Sequence, residues 1–326
     1  TRILWSFSAA TNHLKTDSYK DVCDRSFKYL KDFFNDKINK GVYWEVDYLG
    51  NPINKRKQVY AQSFTIYALS EYYLFSKNEE AKTWAIELFN QLEKYAKDSV
   101  NEGYFEAFNE DWSPIEDMRL SDKDMNASKT MNTHLHVLEA YTSLLKIYDN
   151  NELKASLKML VKVFLEKFLN TKNHYELFFD DQWNLLSNSV SYGHDIEAAW
   201  LVIDAAKLID DSELLHLSEE VAVKVADTFL LEAIDKEGAV INEKHWWPQV
   251  EALVGLKYAN DLKSDEKYIS SSLKIWDFTK KNLIDHKNGE WFFRVDEKGN
   301  VYKSEDKVSM WKAPYHTSRA CIILNK

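Results

Sequence analysis

Helical segments of two kinds alternate along this sequence. Segments of the first kind carry apolar residues at three-and-four spacing with charges between them, as in Phe27, Leu30 and Phe34, and this pattern predicts helices with one buried face. Segments of the second kind are rich in Ala, Leu, Ile and Tyr with few charges, which predicts helices surrounded by protein. Because the two kinds alternate strictly, the sequence predicts an inner ring of helices wrapped by an outer ring.

The bounds of these segments follow from the apolar pattern. The outer helices are predicted over 18–38, 79–97, 151–169, 212–231 and 265–283. The inner helices are predicted over 2–13, 62–75, 132–148, 195–209 and 251–260, with a last one after Pro314. Short aromatic segments with turn residues, such as 41–52, lie between an outer helix and the next inner one, and they predict small β-hairpins at one end of the ring.

Unusual polar and aromatic residues recur at or near the starts of the inner helices. They are Arg2, Tyr60, Asn132 with His136, His194, Trp247 and His316. Successive positions lie 53 to 72 residues apart. The shortest spacing is between His194 and Trp247, and the longest is between Tyr60 and Asn132. Six positions at near-equal spacing predict a single domain over 1–326 whose inner helices begin around one mouth. Six pairs need twelve helices and the pattern contains eleven, so we expect a chain that lacks its first outer helix and its natural N-terminus.

Charge and cysteine content exclude several classes of protein. Lys and Arg number 42 against 52 acidic residues, a net charge of −10, which argues against a nucleic-acid or anionic-membrane partner. No run of eighteen apolar residues is present to span a membrane. The two cysteines, Cys23 and Cys321, have no framework or metal spacing, so we expect a reducing, cytoplasmic location. We also expect the protein to be a monomer. A signal peptide upstream of Thr1 stays open.

One helix start places a histidine beside an acid. His194 and Glu197 are three residues apart where an apolar helix begins, so their side chains can share one face. A carboxylate beside an imidazole fixes its tautomer and raises its basicity, and a helix N-terminus keeps a nearby histidine neutral and able to act as a base. The plainer interpretation is a helix start with an incidental polar residue, and this stretch alone does not separate the two.

The aromatic residues near these starts also have two interpretations. Tyr60 and the pair Trp246 and Trp247 fit either a protein core or a surface on which a sugar stacks. Their position beside polar residues favours stacking. Glu251, on the helix that follows the tryptophans, fits either a solvated acid or a side chain that orients a histidine.

A zinc site is disfavoured by the sequence, and so is a role for Arg319 in the site. His134 and His136 lack a third and fourth partner at zinc-like spacing, and packing is favoured for His134 because His136 shares a helix face with Asn132. Arg319 is interpreted as the partner of an acid at its own helix end and is left out of the site.

Four strings carry a resemblance to a known family. They are KTMNTHLHVLEAY at 129–141, YGHDIEA at 192–198, WWPQVEA at 246–252 and WKAPYH at 311–316. Together they resemble the motifs of the cellobiose 2-epimerases, within the N-acylglucosamine 2-epimerase superfamily, over essentially the whole chain. The resemblance implies an all-α (α/α)6 barrel and reversible epimerisation at C2 of the reducing-end sugar of β-1,4-linked disaccharides such as cellobiose and lactose.

The same resemblance implies roles for individual residues. His194 and His316 match the acid/base pair, and Glu197 and Glu251 match the acids that support the histidines. The residues that match those holding the reacting end of the sugar are Arg2, Tyr60, Asn132 and His136. The tryptophans assigned to substrate binding are Trp246, Trp247 and Trp311.

The chemistry of epimerisation suits these residues. The sugar ring must open, the C2 proton must leave, an enediolate must be stabilised, and a proton must return to the other face. His194 and His316 supply two proton carriers, and Arg2 supplies a cation for the developing oxyanion. The reaction requires no metal or redox cofactor, and the sequence has no Gly-rich phosphate loop.

Three rival functions stay open at this point. One is an epimerase or isomerase of monosaccharides such as N-acylglucosamine or mannose. Another is a glycoside hydrolase that uses Glu197 and Glu251 as its two carboxylates, although both acids are associated with histidines. A third is a sugar-binding module, which would leave the histidine pair and Arg2 without a task.

Overall fold

The computed structural model describes residues 1–235, 240, 244–296 and 298–325. These residues form eleven α-helices and eight short strands. The outer helices are α2 (Lys20–Tyr29), α4 (Glu79–Gln91), α6 (Asn151–Val163), α8 (Ser212–Glu232) and α10 (Glu266–Asn282). The inner helices are α1 (Arg2–Leu14), α3 (Val59–Ser76), α5 (Met131–Leu145), α7 (Tyr192–Ala206), α9 (Trp246–Lys263) and α11 (Tyr315–Leu324). The sequence predicts one domain, and the contacts divide the chain into two compact units.

Burial confirms that the helices are of two kinds. In the inner helix α5, 13 of the 15 residues are buried, including His134 and Glu139. In the outer helix α6, which follows it, 6 of the 13 residues are buried, because charged residues interrupt its apolar positions. None of the helices in the described residues is long and apolar enough to cross a membrane.

The inner helices begin earlier than the apolar pattern predicts. The helix α9 begins at Trp246 rather than at 251, and α3 and α7 begin at Val59 and Tyr192 rather than at 62 and 195. Polar and aromatic residues occupy these first turns, and an apolar pattern does not register them. Tyr60, His194 and Trp247, which are predicted to form the site, therefore lie inside the first helical turns.

The outer helices of the first unit end in π-helical turns. These are Leu30–Phe34 after α2, Leu92–Ala96 after α4 and Phe164–Phe168 after α6. Their residues continue the apolar pattern, which is why each helix is predicted to run further than its α-helical part.

The short strands pair in a way that the predicted hairpins describe only in part. Strands β1 (Glu45–Val46) and β2 (Pro52–Asn54) form a hairpin inside one aromatic segment, as expected. The other antiparallel pairs are β3 (Lys57–Gln58) with β4 (Ala107–Phe108), β5 (Lys129–Thr130) with β6 (Phe178–Phe179), and β7 (Lys244–His245) with β8 (Arg294–Val295). In each of these pairs, one strand directly precedes an inner helix and its partner lies in the next aromatic segment. The pairing therefore fixes the start of that inner helix.

In the first unit, two buried ion pairs anchor the strands that precede α3 and α5. Lys57 Nζ lies 2.6 Å from Asp36, and Lys129 Nζ lies 2.7 Å from Asp98, with both lysine side chains fully buried. Each aspartate also accepts hydrogen bonds from backbone N–H groups of the turn that it begins. These pairs tie the turn after an outer helix to the start of the next inner helix.

Glu106 joins the starts of the same two inner helices. Its backbone carbonyl accepts a hydrogen bond from the N–H of Val59, the first residue of α3. Its buried carboxyl accepts from Thr130 Oγ1 at 2.8 Å and from Thr133 Oγ1 at 2.6 Å, and Thr130 caps α5. Burial raises the pKa of Glu106 to about 7, although the two threonine hydroxyls oppose the shift.

Replacing Glu106 by Gln is expected to change how stability depends on pH. Because the pKa of Glu106 is raised on folding, its contribution is fully present below the unfolded value near 4.5 and is lost as pH rises through about 7. Wild-type protein should lose on the order of 3 kcal/mol of unfolding free energy over this range relative to Glu106→Gln. Urea unfolding at pH 4.5, 6 and 7.5, followed by circular dichroism, measures the difference.

The control for this variant is Glu110→Gln, which changes a half-exposed carboxylate paired with Lys55. This control should keep the wild-type dependence of stability on pH. Parallel curves for wild type and Glu106→Gln would contradict the assignment.

In the second unit, α7 and α9 approach each other closely at a glycine. A Cβ atom at Gly255 of α9 would lie 2.5 Å from Ile196 Cγ1 and 2.9 Å from the Ile196 carbonyl oxygen on α7. Ile196 is fully buried in a cluster that includes Phe229 and Leu256. This contact brings the helix that carries Glu197 against the helix that carries Glu251.

Candidate active site

The first two turns of α7, α9 and α11 bring six side chains of the second unit together. We call this group the histidine cluster, and its members are His194, Glu197, Trp247, Glu251, His316 and Arg319. The two acids are 1% and 0% exposed, whereas the histidines and Trp247 are partly exposed. The cluster therefore has acids on its buried side and imidazoles on its accessible side.

His316 is held by a buried carboxylate. Its Nδ1 lies 2.7 Å from Glu251 Oε1 and 3.8 Å from Glu197 Oε1. When Nδ1 donates to Glu251, proton transfer to a ligand falls to Nε2, and the carboxylate stabilises the imidazolium that forms. The contact orients the His316 ring, and the supporting role of Glu251 in a reaction stays a prediction.

His194 contacts the same tryptophan as His316 does. The centre of the Trp247 ring lies 4.8 Å from that of His194 and 5.6 Å from that of His316. His194 Nδ1 lies 2.7 Å from Ser191 Oγ. Two imidazoles thus contact one half-buried indole, and the sequence brings them there from positions more than a hundred residues apart.

Arg319 belongs to the cluster, although the sequence interpretation left it out. Its Nη2 donates to Glu197 Oε1 at 2.5 Å and to Glu251 Oε1 at 2.7 Å, and its Nη1 donates to the Tyr315 hydroxyl. Glu197 is thereby tied to Arg319 and His316, whereas spacing suggested only His194 as its partner. The signal for Arg319 is its position three residues after His316, on the same helix face.

The three tryptophans assigned to substrate binding differ in exposure. Trp247 and Trp311 are partly exposed, so each offers an indole surface. Trp246 is 3% exposed and packs against Phe293, with ring centres 4.9 Å apart, so it has little surface to offer a ligand. Trp200, which the sequence interpretation missed, donates from Nε1 to Glu251 Oε2 at 3.2 Å.

The space between the two acids is taken by a guanidinium group. Ligand atoms of Glu197, Glu251 and His316 lie within 4.8 Å of one another, which is close enough to hold a metal ion. Arg319 Nη2 already lies on both carboxylates, so a cation at this point would have to displace Arg319.

The first unit contains a second group, the Arg2 cluster, formed by Arg2, Tyr60, Phe64, His136 and Glu139. Arg2 Nη2 donates to the Tyr60 hydroxyl, and the guanidinium lies 4.7 Å from the centre of the Phe64 ring. The Tyr60 and His136 rings meet edge to face with centres 4.9 Å apart, and His136 Nδ1 lies 3.2 Å from Glu139. The structure thus brings together Arg2, Tyr60 and His136 as expected.

Two residues of the Arg2 cluster were not anticipated from sequence. Phe64 follows Tyr60 by four residues and Glu139 follows His136 by three, so helical spacing marks both. Asn132, four residues before His136 in the first turn of α5, is partly exposed.

His134 is a structural residue, as the sequence favoured. It is fully buried, its Nδ1 lies 2.7 Å from the Thr130 carbonyl oxygen, and its Nε2 accepts from the Tyr104 N–H at 2.8 Å. Burial lowers the pKa of His134 to about 3. Both ring nitrogens are used by the backbone, which leaves neither for zinc.

Alternating inner and outer helices with a histidine pair and supporting acids fit a sugar isomerase of the (α/α)6-barrel class. The model of the N-acylglucosamine 2-epimerase (GlcNAc 2-epimerase) family matches residues 1–320, and the chain belongs to this family. The predicted fold class is thereby confirmed, and the protein is an isomerase.

Individual relatives agree with this assignment. The chain is 40% identical to the cellobiose 2-epimerase of Bacteroides fragilis over 335 residues, which cover 99% of this chain and 85% of that enzyme. The solved structure of cellobiose 2-epimerase from Bacillus thermoamylovorans matches with a TM-score of 0.95 and 35% identity, over 99% of this chain and 85% of that one. A D-mannose isomerase from Marinomonas mediterranea is a weaker relative, 24% identical over 98% of this chain and 84% of its own.

Proposed function

We propose that the protein reversibly epimerises C2 of the reducing-end sugar in β-1,4-linked disaccharides, converting cellobiose to glucosyl-mannose and lactose to epilactose. The observation that carries the proposal is the contact of His194 and His316 with the same indole, Trp247, while His316 is held by Glu251. The activity of the cellobiose 2-epimerases to which the chain is similar supports the choice of substrate.

The reaction uses the two histidines in succession. After the sugar ring opens, one imidazole takes the proton from C2, and the C–H electron pair moves through C1 to the aldehyde oxygen to give an enediolate. The other imidazole, in its protonated form, returns a proton to the opposite face of C2. After each turnover, the histidine that was neutral is protonated, and the histidine that was protonated is neutral.

The remaining residues hold the substrate and stabilise charge. Arg2 donates hydrogen bonds to the developing enediolate oxygen, which is the role that the family resemblance implies for it. Trp247 and Trp311 stack on sugar rings, whereas the buried Trp246 packs against Phe293. Tyr60, Asn132 and His136 hold the reacting end, while Glu197 and Glu251 support His316 from its buried side.

Incubation with cellobiose in D2O, followed by NMR, tests the proposal. Glucosyl-mannose that carries deuterium at C2 is the expected product. Free glucose would indicate hydrolysis instead, a fructose-ended disaccharide would indicate isomerisation, and unchanged cellobiose would indicate binding alone. Any of these three outcomes would contradict the proposal.

A monosaccharide epimerase or isomerase is the second candidate, favoured by the similarity to D-mannose isomerase. The same incubation with mannose and with N-acetylglucosamine separates it, since faster turnover of either sugar than of cellobiose would favour this candidate. Hydrolysis is disfavoured because Glu197 and Glu251 are buried and bonded to the same Arg319 nitrogen, whereas a hydrolase needs both acids at the scissile bond.

A further inference from the structure

Arg319 lies among the charges that surround His316. Its Nη2 donates to Glu197 and Glu251, and oxygens of the same two acids lie 3.8 Å and 2.7 Å from His316 Nδ1. The imidazole therefore faces two negative charges, and one positive charge lies on both of them.

We propose that Arg319 is a positioning residue that sets how readily His316 gives and takes a proton, because its guanidinium offsets one of the two carboxylates that face the imidazole. The inference rests on the proposed function, in which His316 is one of the two proton carriers. It adds a residue that touches no substrate and acts through Glu197 and Glu251.

The physical reason is the balance of charge in a buried place. Two carboxylates without a counter-charge would strongly favour the imidazolium, and a histidine that stays protonated cannot remove the C2 proton. Arg319 offsets one of these two carboxylate charges, so the acids support the imidazolium without trapping it. Arg319 and both acids are at most 3% exposed, so water screens these interactions weakly.

Aromatic rings fix the guanidinium in this position. The Arg319 guanidinium lies 4.8 Å from the centre of the Trp200 ring and 4.5 Å from that of Tyr315, and Nη1 donates to the Tyr315 hydroxyl. Such stacking is specific to the planar guanidinium, so lysine at this position would keep the charge but lose the geometry.

Other titratable groups around His316 come from each neighbouring element. His194 of α7 contacts Trp247, as His316 does, and Tyr315 precedes His316 on α11 with ring centres 4.7 Å apart. Lys312, from the segment before α11, is paired with Glu290 at 2.5 Å and lies over Trp246. Lys312 therefore has a counter-charge of its own, and Arg319 is the cation bonded to the acids that face His316.

The pH dependence of cellobiose epimerisation tests the proposal with charge-balanced variants. In Arg319→Met, the acid limb of the rate profile should move to higher pH by about one unit, because His316 then faces two uncompensated acids. In the double variant R319M/E197Q, one acid and the guanidinium are both removed, so the acid limb should return towards the wild-type position. Arg319→Lys should keep the wild-type limb and turn over more slowly.

The result that would overturn the proposal is an equal loss of rate at every pH in Arg319→Met, with the double variant no different. Circular dichroism establishes folding. If Arg319→Met does not fold, Arg319→Gln carries the test, since it removes the charge but keeps a hydrogen-bond donor and should also move the acid limb to higher pH; an unmoved limb would overturn the proposal.

A readout that does not depend on turnover separates this inference from the proposed function. The 15N shifts of His316, followed over pH in wild type and Arg319→Met, report its protonation directly. The wild-type protein could prove inactive on cellobiose while the His316 titration still shifts between wild type and Arg319→Met. That result would support the role of Arg319 and overturn the proposed function. A titration that does not move would overturn the role of Arg319, whatever the activity.

Discussion

Asn in place of His316 or His194 should lower the rate of cellobiose epimerisation by about 10²–10⁴-fold, the range that a positioned acid or base contributes. Each variant removes one of the two proton carriers, and asparagine fills a similar volume without an exchangeable proton of suitable acidity. Initial rates by NMR, with circular dichroism to establish unchanged helicity, measure the effect.

The two variants should also differ from each other. With two histidines on opposite faces of C2, a protein that keeps one of them can still exchange the C2 proton of one epimer with D2O. We expect His316→Asn to catalyse exchange in either cellobiose or glucosyl-mannose, and His194→Asn to catalyse exchange in the other sugar. Deuterium incorporation into the unreacted sugar, measured separately for the two, assigns a face to each histidine.

The control is His216→Asn, which changes a side chain that is 75% exposed on the outer helix α8. It should retain wild-type epimerisation and exchange. Normal turnover in either site variant would remove that histidine from the mechanism, and identical exchange preferences in the two site variants would contradict a base on each face.

Much of the fold follows from local pattern. The distinction between inner and outer helices depends on charge at every third or fourth residue, and charge is visible in the sequence. The starts of the inner helices were less predictable, because Trp246 and Tyr192 extend their helices with residues that an apolar pattern does not count. Their strand partners were not predictable, since β7 pairs with β8 across about fifty residues.

The candidate site divides in the same way. Helical spacing identifies which residues share a face, so Phe64, Trp200 and Arg319 each lie three or four residues from a predicted residue and could have been included. Spacing does not identify which faces meet. The hydrogen bond from Arg319 to Glu197 joins residues 122 positions apart in the sequence. It places Glu197 of α7 beside His316 of α11, a contact that helical spacing within α7 does not reveal.

Replacing Lys129 by Met is expected to be among the most destabilising single changes in the first unit. Lys129 Nζ donates to Asp98 Oδ2 at 2.7 Å and to the carbonyl oxygens of Glu102 and Asp181 at 2.8 and 2.9 Å. Methionine fills the space but leaves a buried carboxylate and two carbonyls without this donor, at a cost of about 3–5 kcal/mol. Urea unfolding followed by circular dichroism measures the change in unfolding free energy.

The matched control is Lys28→Met, which also breaks a bond between lysine and aspartate, but at a side chain that is 76% exposed. Its unfolding free energy should change by less than about 1 kcal/mol. The double variant K129M/D98N should regain part of the loss, because it removes the uncompensated charge. If Lys129→Met resembled the control, or if the double variant regained nothing, the cost would not come from the buried charge. If the double variant regains unfolding free energy, the strand before α5 depends on compensation of the buried charge. The same strand contains Thr130, which caps the helix that carries Asn132 and His136.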